Sequence, residues 1–421
     1  MRISLVFLFI GLSCLAVAQQ KKDRYNFAAT YFGVEVEVNS QRNTFSSLNE
    51  SGELEQQDLP STLSPRLLIG GTHFWNHADF YISFPIANIR LAGSENAAIS
   101  NDVFTGFRLL PFALRQDKAK PFFGVGFNSK EFRQEGANGK SQLYTNWQWY
   151  FEGGLTYVYK KRHLLGLEAR YFSKNKYNPY YDRVNSSSVE VSPFSFSLSY
   201  KKLFDFSAGF RSEKSKQFFT KLKSDLTEKK QLNTYSIGVG MSAFIPFEKI
   251  DYASRNEFFN DQIDPSLFPE IGVAYYHHNL DASARISYRP ILQEEKAYDY
   301  EFSLRNHSIA IEAFKFIGDY HGFVPFVGPY LSQNYYHLTE SDGGKKVTDI
   351  SECSIGYGLS FGWDIRFTET DYLILRTNMR YTPDFNQKLN GLNYSGSGLE
   401  FNFIQLVYYP QRHQASKNLT L

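Results

Sequence analysis

The chain has 421 residues, among them 39 Phe, 29 Tyr and 4 Trp, yet its mean hydropathy is only −0.39. Beyond the first 18 positions no run of about 20 apolar residues exists, which excludes a bundle of transmembrane helices, and so much aromatic surface excludes a disordered chain. The 45 Lys+Arg against 43 Asp+Glu, without basic clustering, exclude a nucleic-acid surface.

In chain order, the first expected element is an address. Met1-Arg2-Ile3-Ser4 precedes the apolar stretch Leu5 to Leu12, and Ala16-Val17-Ala18 supplies a small-x-small cleavage pattern, so residues 1–18 read as a cleaved signal peptide and 19–421 as a single barrel domain. Cys14 would leave with the signal. Cys353 is then the only cysteine, and no internal disulfide is available.

Beyond that segment the residues alternate with period two. Asn146 to Tyr159 sets Trp147, Trp149, Phe151, Leu155, Tyr157 and Tyr159 against Asn146, Gln148, Glu152 and Thr156. Ser351 to Phe367 sets Cys353, Ile355, Tyr357, Leu359, Phe361, Trp363, Ile365 and Phe367 against Glu352, Ser354, Gly356, Gly358, Ser360, Gly362, Asp364 and Arg366. Only an extended strand keeps two such sets on opposite faces. Strands are predicted near 26–38, 61–72, 78–89, 100–113, 120–132, 143–159, 163–173, 188–201, 231–245, 266–277, 281–290, 299–317, 323–337, 350–367, 371–381 and 398–410. That makes sixteen, with fourteen or eighteen as alternatives. Residues 202–230, partly helical and basic, read as a long connection. Short polar links, such as Asn76-His77 and Lys160 to His163, alternate with long ones such as 174–186.

One face is Phe, Leu, Ile and Tyr; the other is Gly, Ser and charge. A soluble barrel would bury the apolar set, whereas here the charged set is too large to be a core and the apolar set suits lipid. In this pattern the chain resembles the outer-membrane β-barrel proteins of Gram-negative bacteria. The resemblance implies an all-β, transmembrane antiparallel barrel in the outer membrane, in contact with lipid and lipopolysaccharide, with short turns towards the periplasm. It carries no functional residues with it. Phe361, Trp363 and Ile365 are expected to face lipid.

Inward parity collects the cations Arg66, Arg108, Arg170, Arg285, Arg289, Arg305, Arg366, Arg376 and Arg380, and the anions Glu35, Glu37, Asp79, Glu152, Glu168, Glu301, Glu312, Glu352 and Asp364. Two readings stay open. Arg366, Arg376 and Arg380 with Asp364, and the pair Arg285 and Arg289, form a positive stretch for an anionic solute in a channel; or they are salt-bridged ladders in a closed wall. The first makes the protein a channel or transporter for small polar or anionic solutes. The second makes it a non-conducting structural or assembly component.

His73, His77, His277, His278 and His321 fall at proposed short turns and are candidates for docking a periplasmic partner. Nothing in the sequence makes them converge, so no metal site is expected, and no cofactor motif stands out. The outer-membrane lipases and lipid A deacylases that resemble this architecture place a His and a Ser two apart on one strand face, so that the imidazole can take the hydroxyl proton. Asn306-His307-Ser308 reaches that only through a bulge near Leu304 to Ile309, and His337-Leu338-Thr339 offers a Thr, so the protein is not expected to be an enzyme.

Overall fold

The computed structural model describes residues 29–419, except 113, 138, 142, 161, 205–212, 248–255, 260–265, 321, 367, 384–385 and 390–391. The proposed signal peptide, His321 and most of 204–210 therefore lie outside the described residues. Alternating sequence becomes long strand wherever predicted. The strands are β1 (Ala29–Asn39), β2 (Ser61–His73), β3 (Ala78–Pro85), β4 (Ala97–Leu109), β5 (Ala119–Gly136), β6 (Tyr144–Tyr159), β7 (His163–Phe172) and β8 (Phe194–Phe204). After helix α1 (Glu213–Glu228) come β9 (Thr234–Pro246), β10 (Ser266–His277), β11 (Ala282–Ala297), β12 (Tyr300–Phe316), β13 (Phe323–Asp342), β14 (Lys345–Ile365), β15 (Leu373–Thr382) and β16 (Gly398–Tyr408). A last helix, α2, spans Pro410–Asn418.

These sixteen strands close as two rings of eight, which corrects the expected single ring. Strand β1 pairs antiparallel with β2, Glu35 opposite Arg66, and also with β8, Glu35 opposite Ser199. Strand β9 pairs with β10, Gly238 opposite Gly272, and with β16, Gly238 opposite Val407. All other long pairings join chain neighbours. Each ring satisfies its own backbone and leaves no long edge open, as a span through lipid requires. With eight strands the interior is just wide enough for side chains to fill.

The outward faces are apolar and exposed: Phe32, Val34 and Val36 on β1, Leu165 and Leu167 on β7, Ile237 and Val239 on β9, Ile309 and Ile311 on β12. One outward sector of each barrel is covered by the other barrel. Phe80 of β3 lies 5.7 Å from Trp363 of β14, and Ile82 and Val103 pack with Ala243 and Phe401. Trp363 thus faces the neighbouring barrel, which corrects its assignment to lipid. At the β2–β3 turn, Phe74, Trp75 and Asn76 all take positive φ, a conformation rare for non-glycine residues, and Phe74 sits 5.9 Å from Phe323.

The two ends differ. Beneath the second barrel α1 packs on α2 through Leu222, Leu226 and Ala415, and Lys223 bridges to Glu369 at 2.5 Å. At the long-loop end the barrels are joined: Arg183 binds Asp342 at 2.8 Å, Tyr298 donates to the Tyr180 carbonyl at 2.6 Å, and its amide donates to that of Lys140.

Candidate functional site

The predicted charges converge inside the barrels. In the first, Arg108 lies between Glu152 (2.9 Å) and Glu168 (2.7 Å). Arg170 bonds Glu35 and reaches Glu168 at 2.8 Å, Lys201 reaches Asp79 at 3.4 Å, and Arg66 reaches Glu37 at 3.4 Å. Tyr31 donates to Asp79 at 2.7 Å and Tyr81 to Glu152 at 2.8 Å. The guanidinium groups also lie over rings, Arg108 over Tyr81 at 4.0 Å and Arg66 and Arg170 over Phe104 at 4.4 Å each. Glycines on the inner face make room for these rings: a side chain at Gly126 would collide with the ring and hydroxyl of Tyr150. Buried charge is balanced among the described residues of this barrel, Arg66, Arg108, Lys130, Arg170 and Lys201 against Glu35, Glu37, Asp79, Glu152 and Glu168.

The second barrel repeats the arrangement with other residues. Arg380, 1% exposed, is held by Glu270 at 2.6 Å, Glu312 at 2.8 Å and Glu400. Arg285 bridges Glu270 (2.7 Å) and Glu312 (3.1 Å), and Arg289 binds Glu400. Nearer the short turns, Asp364 takes Arg376 at 2.6 Å and Arg366 at 2.7 Å. An aromatic layer of Tyr276, Phe314, Phe316, Phe326 and Tyr409 lies below, and Arg412 of α2 is buried over the Tyr409 ring. Above the arginine layer a pocket of about 40 Å³ remains between Arg289, Asn306, Tyr330, Asn334 and Glu400. That is room for one or two waters.

The structure therefore brings Arg285, Arg289 and Arg380 into one layer, with Arg366 and Arg376 in a second layer around Asp364. Arg305 and Glu301 turn out to be outward and exposed, because β12 keeps even residues inward throughout; both fall on the part of β12 that carries the long-loop hairpin. Glu352 is half-buried. Reasoning from parity missed Lys130, Lys201, Glu270 and Glu400. Lys201 and Glu270 do sit on the small, polar parity of their strands and were legible. Strand β16 shifts register beside Met241 and Ser242, so a single parity cannot be carried along it to reach both Glu400 and Gln405, which are both buried.

Among the described residues the histidines do not converge, and no group of ligands able to hold a metal occurs. They brace turns: His77 contacts the Leu110 carbonyl at 3.0 Å, His277 accepts from the Leu280 amide, His278 lies by the Tyr276 ring, and His73 lies edge-on to Phe80. The register of β12 is continuous from Leu304 to Ile309 on both sides, so the suggested bulge is absent. His307 faces out, bonded to Tyr288 at 2.7 Å, while Ser308 is buried inside. His337 and Thr339 share an outward face, but the imidazole is engaged by Asp349 at 2.8 Å. Hydrogen bonds from Lys346 and from that imidazole hold the Asp349 carboxyl below its usual range.

Two closed antiparallel barrels, with ionic interiors and apolar outer faces, define an integral outer-membrane β-barrel protein. No protein-family model matches the chain and no curated protein matches its sequence. Among solved structures it is similar to Neisserial surface protein A, at 16% identity and a TM-score of 0.31, over 41% of this chain and 96% of that one. It is similar to Ail, the attachment invasion locus protein of Yersinia pestis, at 13% and 0.29, over 42% and 97%. An outer-membrane channel from Pseudomonas putida F1 aligns over 90% of this chain and 95% of its own, at 8% and 0.23.

Proposed function

We propose that the protein is a non-conducting outer-membrane scaffold, a rigid double barrel that presents its ends to a partner, rather than a channel. The observation that carries this is the pair of filled interiors. In each barrel an arginine is clamped by carboxylates arriving from several strands, Arg108 and Arg170 in one and Arg380 in the other. A solute path at that level would strip these ions of their partners in a low-dielectric wall. The arginines that sequence reasoning offered to an anionic solute are occupied by Asp364, Glu270, Glu312 and Glu400. The helical base, α1 on α2, is the platform nearest a periplasmic partner. Catalysis forms no part of this reading, since His307 and Ser308 lie on opposite faces of their strand.

Planar-bilayer recording of the purified protein tests it. No unitary conductance is expected, and reproducible single-channel steps from the folded protein would return the channel reading. In cells, a photo-crosslinker at Lys214 or Lys221 on α1 is expected to capture a periplasmic protein. Capture only by long-loop positions would move the docking end to the outer face.

A further inference from the structure

We propose that the crevice between the two barrels holds an acyl chain of a phospholipid from the periplasmic leaflet, as a fixed part of the double barrel. The crevice has a volume of about 140 Å³ and is walled by both barrels, by Ile69, Phe80 and Thr105 on one side and Trp363, Leu375 and Ile404 on the other.

Its depth is set by strand direction. On the first barrel the wall reaches Gly71 and His73, the last residues before the β2–β3 short turn, and on the second it reaches Ile365 at the end of β14, before the β14–β15 short turn. Towards the long loops it is closed. There Ile82, Val103 and Ala243, 8%, 5% and 2% exposed, seal the barrels together with Phe84 and Phe401. The crevice thus belongs to the half of the membrane on the short-turn side, which in such barrels is the periplasmic leaflet. Lipopolysaccharide in the opposite leaflet would have to pass that seal.

The chemistry of the walls selects an alkyl chain. Apart from the threonines, His73 and Arg376, whose guanidinium is engaged by Asp364 inside the second barrel, the side chains that line the space are aliphatic or aromatic. Water in an apolar cavity lacks the two to four polar partners it needs, and an empty cavity forfeits dispersion contacts along every wall. Lipid tails are the medium in which the outward faces stand, so they are the material at hand to fill it. The two barrels are joined at the top by Arg183–Asp342 and Tyr298–Tyr180, and a chain between them below would complete the contact. The inference goes beyond the scaffold reading and does not depend on it, since a conducting barrel could hold the same lipid.

The test is native mass spectrometry of protein extracted in mild detergent and stripped stepwise. A phospholipid adduct is expected to persist after annular lipid is lost. Filling the crevice with Thr105→Phe and Thr377→Trp should lower its retention about tenfold while the heat-modifiable gel shift is kept. Equal retention in the filled variant, no persistent adduct on the native chain, or an adduct of lipopolysaccharide instead would overturn the proposal. Should the filled variant misfold, the native chain reconstituted with a phospholipid bearing an acyl-chain diazirine decides. Crosslinks are expected at Phe80, Trp363 and Leu375, and crosslinks confined to open faces such as Val34 and Leu167 would refute it.

Discussion

Replacing Arg380 by Gln should be among the most damaging single changes in the second barrel. Its guanidinium serves Glu270, Glu312 and Glu400 at once, and it is almost wholly withdrawn from water. Three arginines, Arg285, Arg289 and Arg380, face those three carboxylates, so the variant leaves one buried negative charge without a counterpart. Breaking a buried pair in this way costs about 3–5 kcal/mol, or roughly two to three and a half decades in the unfolding constant. The readout is the urea midpoint of the protein in phospholipid vesicles, followed by Trp fluorescence and by the gel shift between boiled and unboiled samples. Adding Glu312→Gln to Arg380→Gln restores the charge balance and should recover a large part of the loss. Glu301→Gln, outward on the same strand as Glu312 and paired with exposed Lys296, should leave the midpoint in place. A loss below about 1 kcal/mol for Arg380→Gln, or a double variant worse than the single one, would refute the view that these arginines are charge-matched wall ties.

The same geometry sets other outcomes. Gly126→Ala forces Tyr150 from its seat against the backbone and should cost about 1–3 kcal/mol by overpacking, measured by the same urea midpoint. Tyr81→Phe removes the donor to Glu152 and should cost about 1–3 kcal/mol; a neutral result would show that Arg108 and Arg170 satisfy that carboxylate without it. At the long-loop end, the hydrogen bond and charge of Arg183 hold the Asp342 carboxyl below its ordinary value. A group depressed in the folded state stabilises above its unfolded pKa, about 3.9, and loses that contribution as pH falls through the lower folded value. Hydrogen-exchange protection at 180–183, taken relative to the intrinsic rate at each pH, should therefore fall on acidification below about pH 4, and Asp342→Asn should reproduce the loss at pH 7. An unaltered exchange rate in that variant would show that Tyr298 and Tyr180 hold the loops by themselves.

The alternation of residues determined strand, face and medium from sequence alone. Trp149 and Phe151 had to lie outward and Glu152 inward, because a strand offers only two faces, and the excess of inward charge left lipid as the outer solvent. Ring closure was not written there. One ring of sixteen and two rings of eight share fourteen of their sixteen pairings, all between chain neighbours, and differ only in whether β8 meets β1 or β9 and whether β16 meets β9 or β1. Both choices preserve every inward and outward residue, so no parity argument separates them. Only the closing pairings decide, Glu35 with Ser199 and Gly238 with Val407, and their consequence is large. Eight strands bring opposite walls within reach of one side chain, which turns charges that would line a wide pore into buried, mutually neutralised layers. The bend of β4 at Asn101 to Phe104 and the shift in β16 likewise belong to the fold, since a bulge moves one residue without a mark in composition. Trp363 shows the same limit on the outside: its outward direction was legible, but whether lipid or a second barrel met it depended on how the two rings stand side by side.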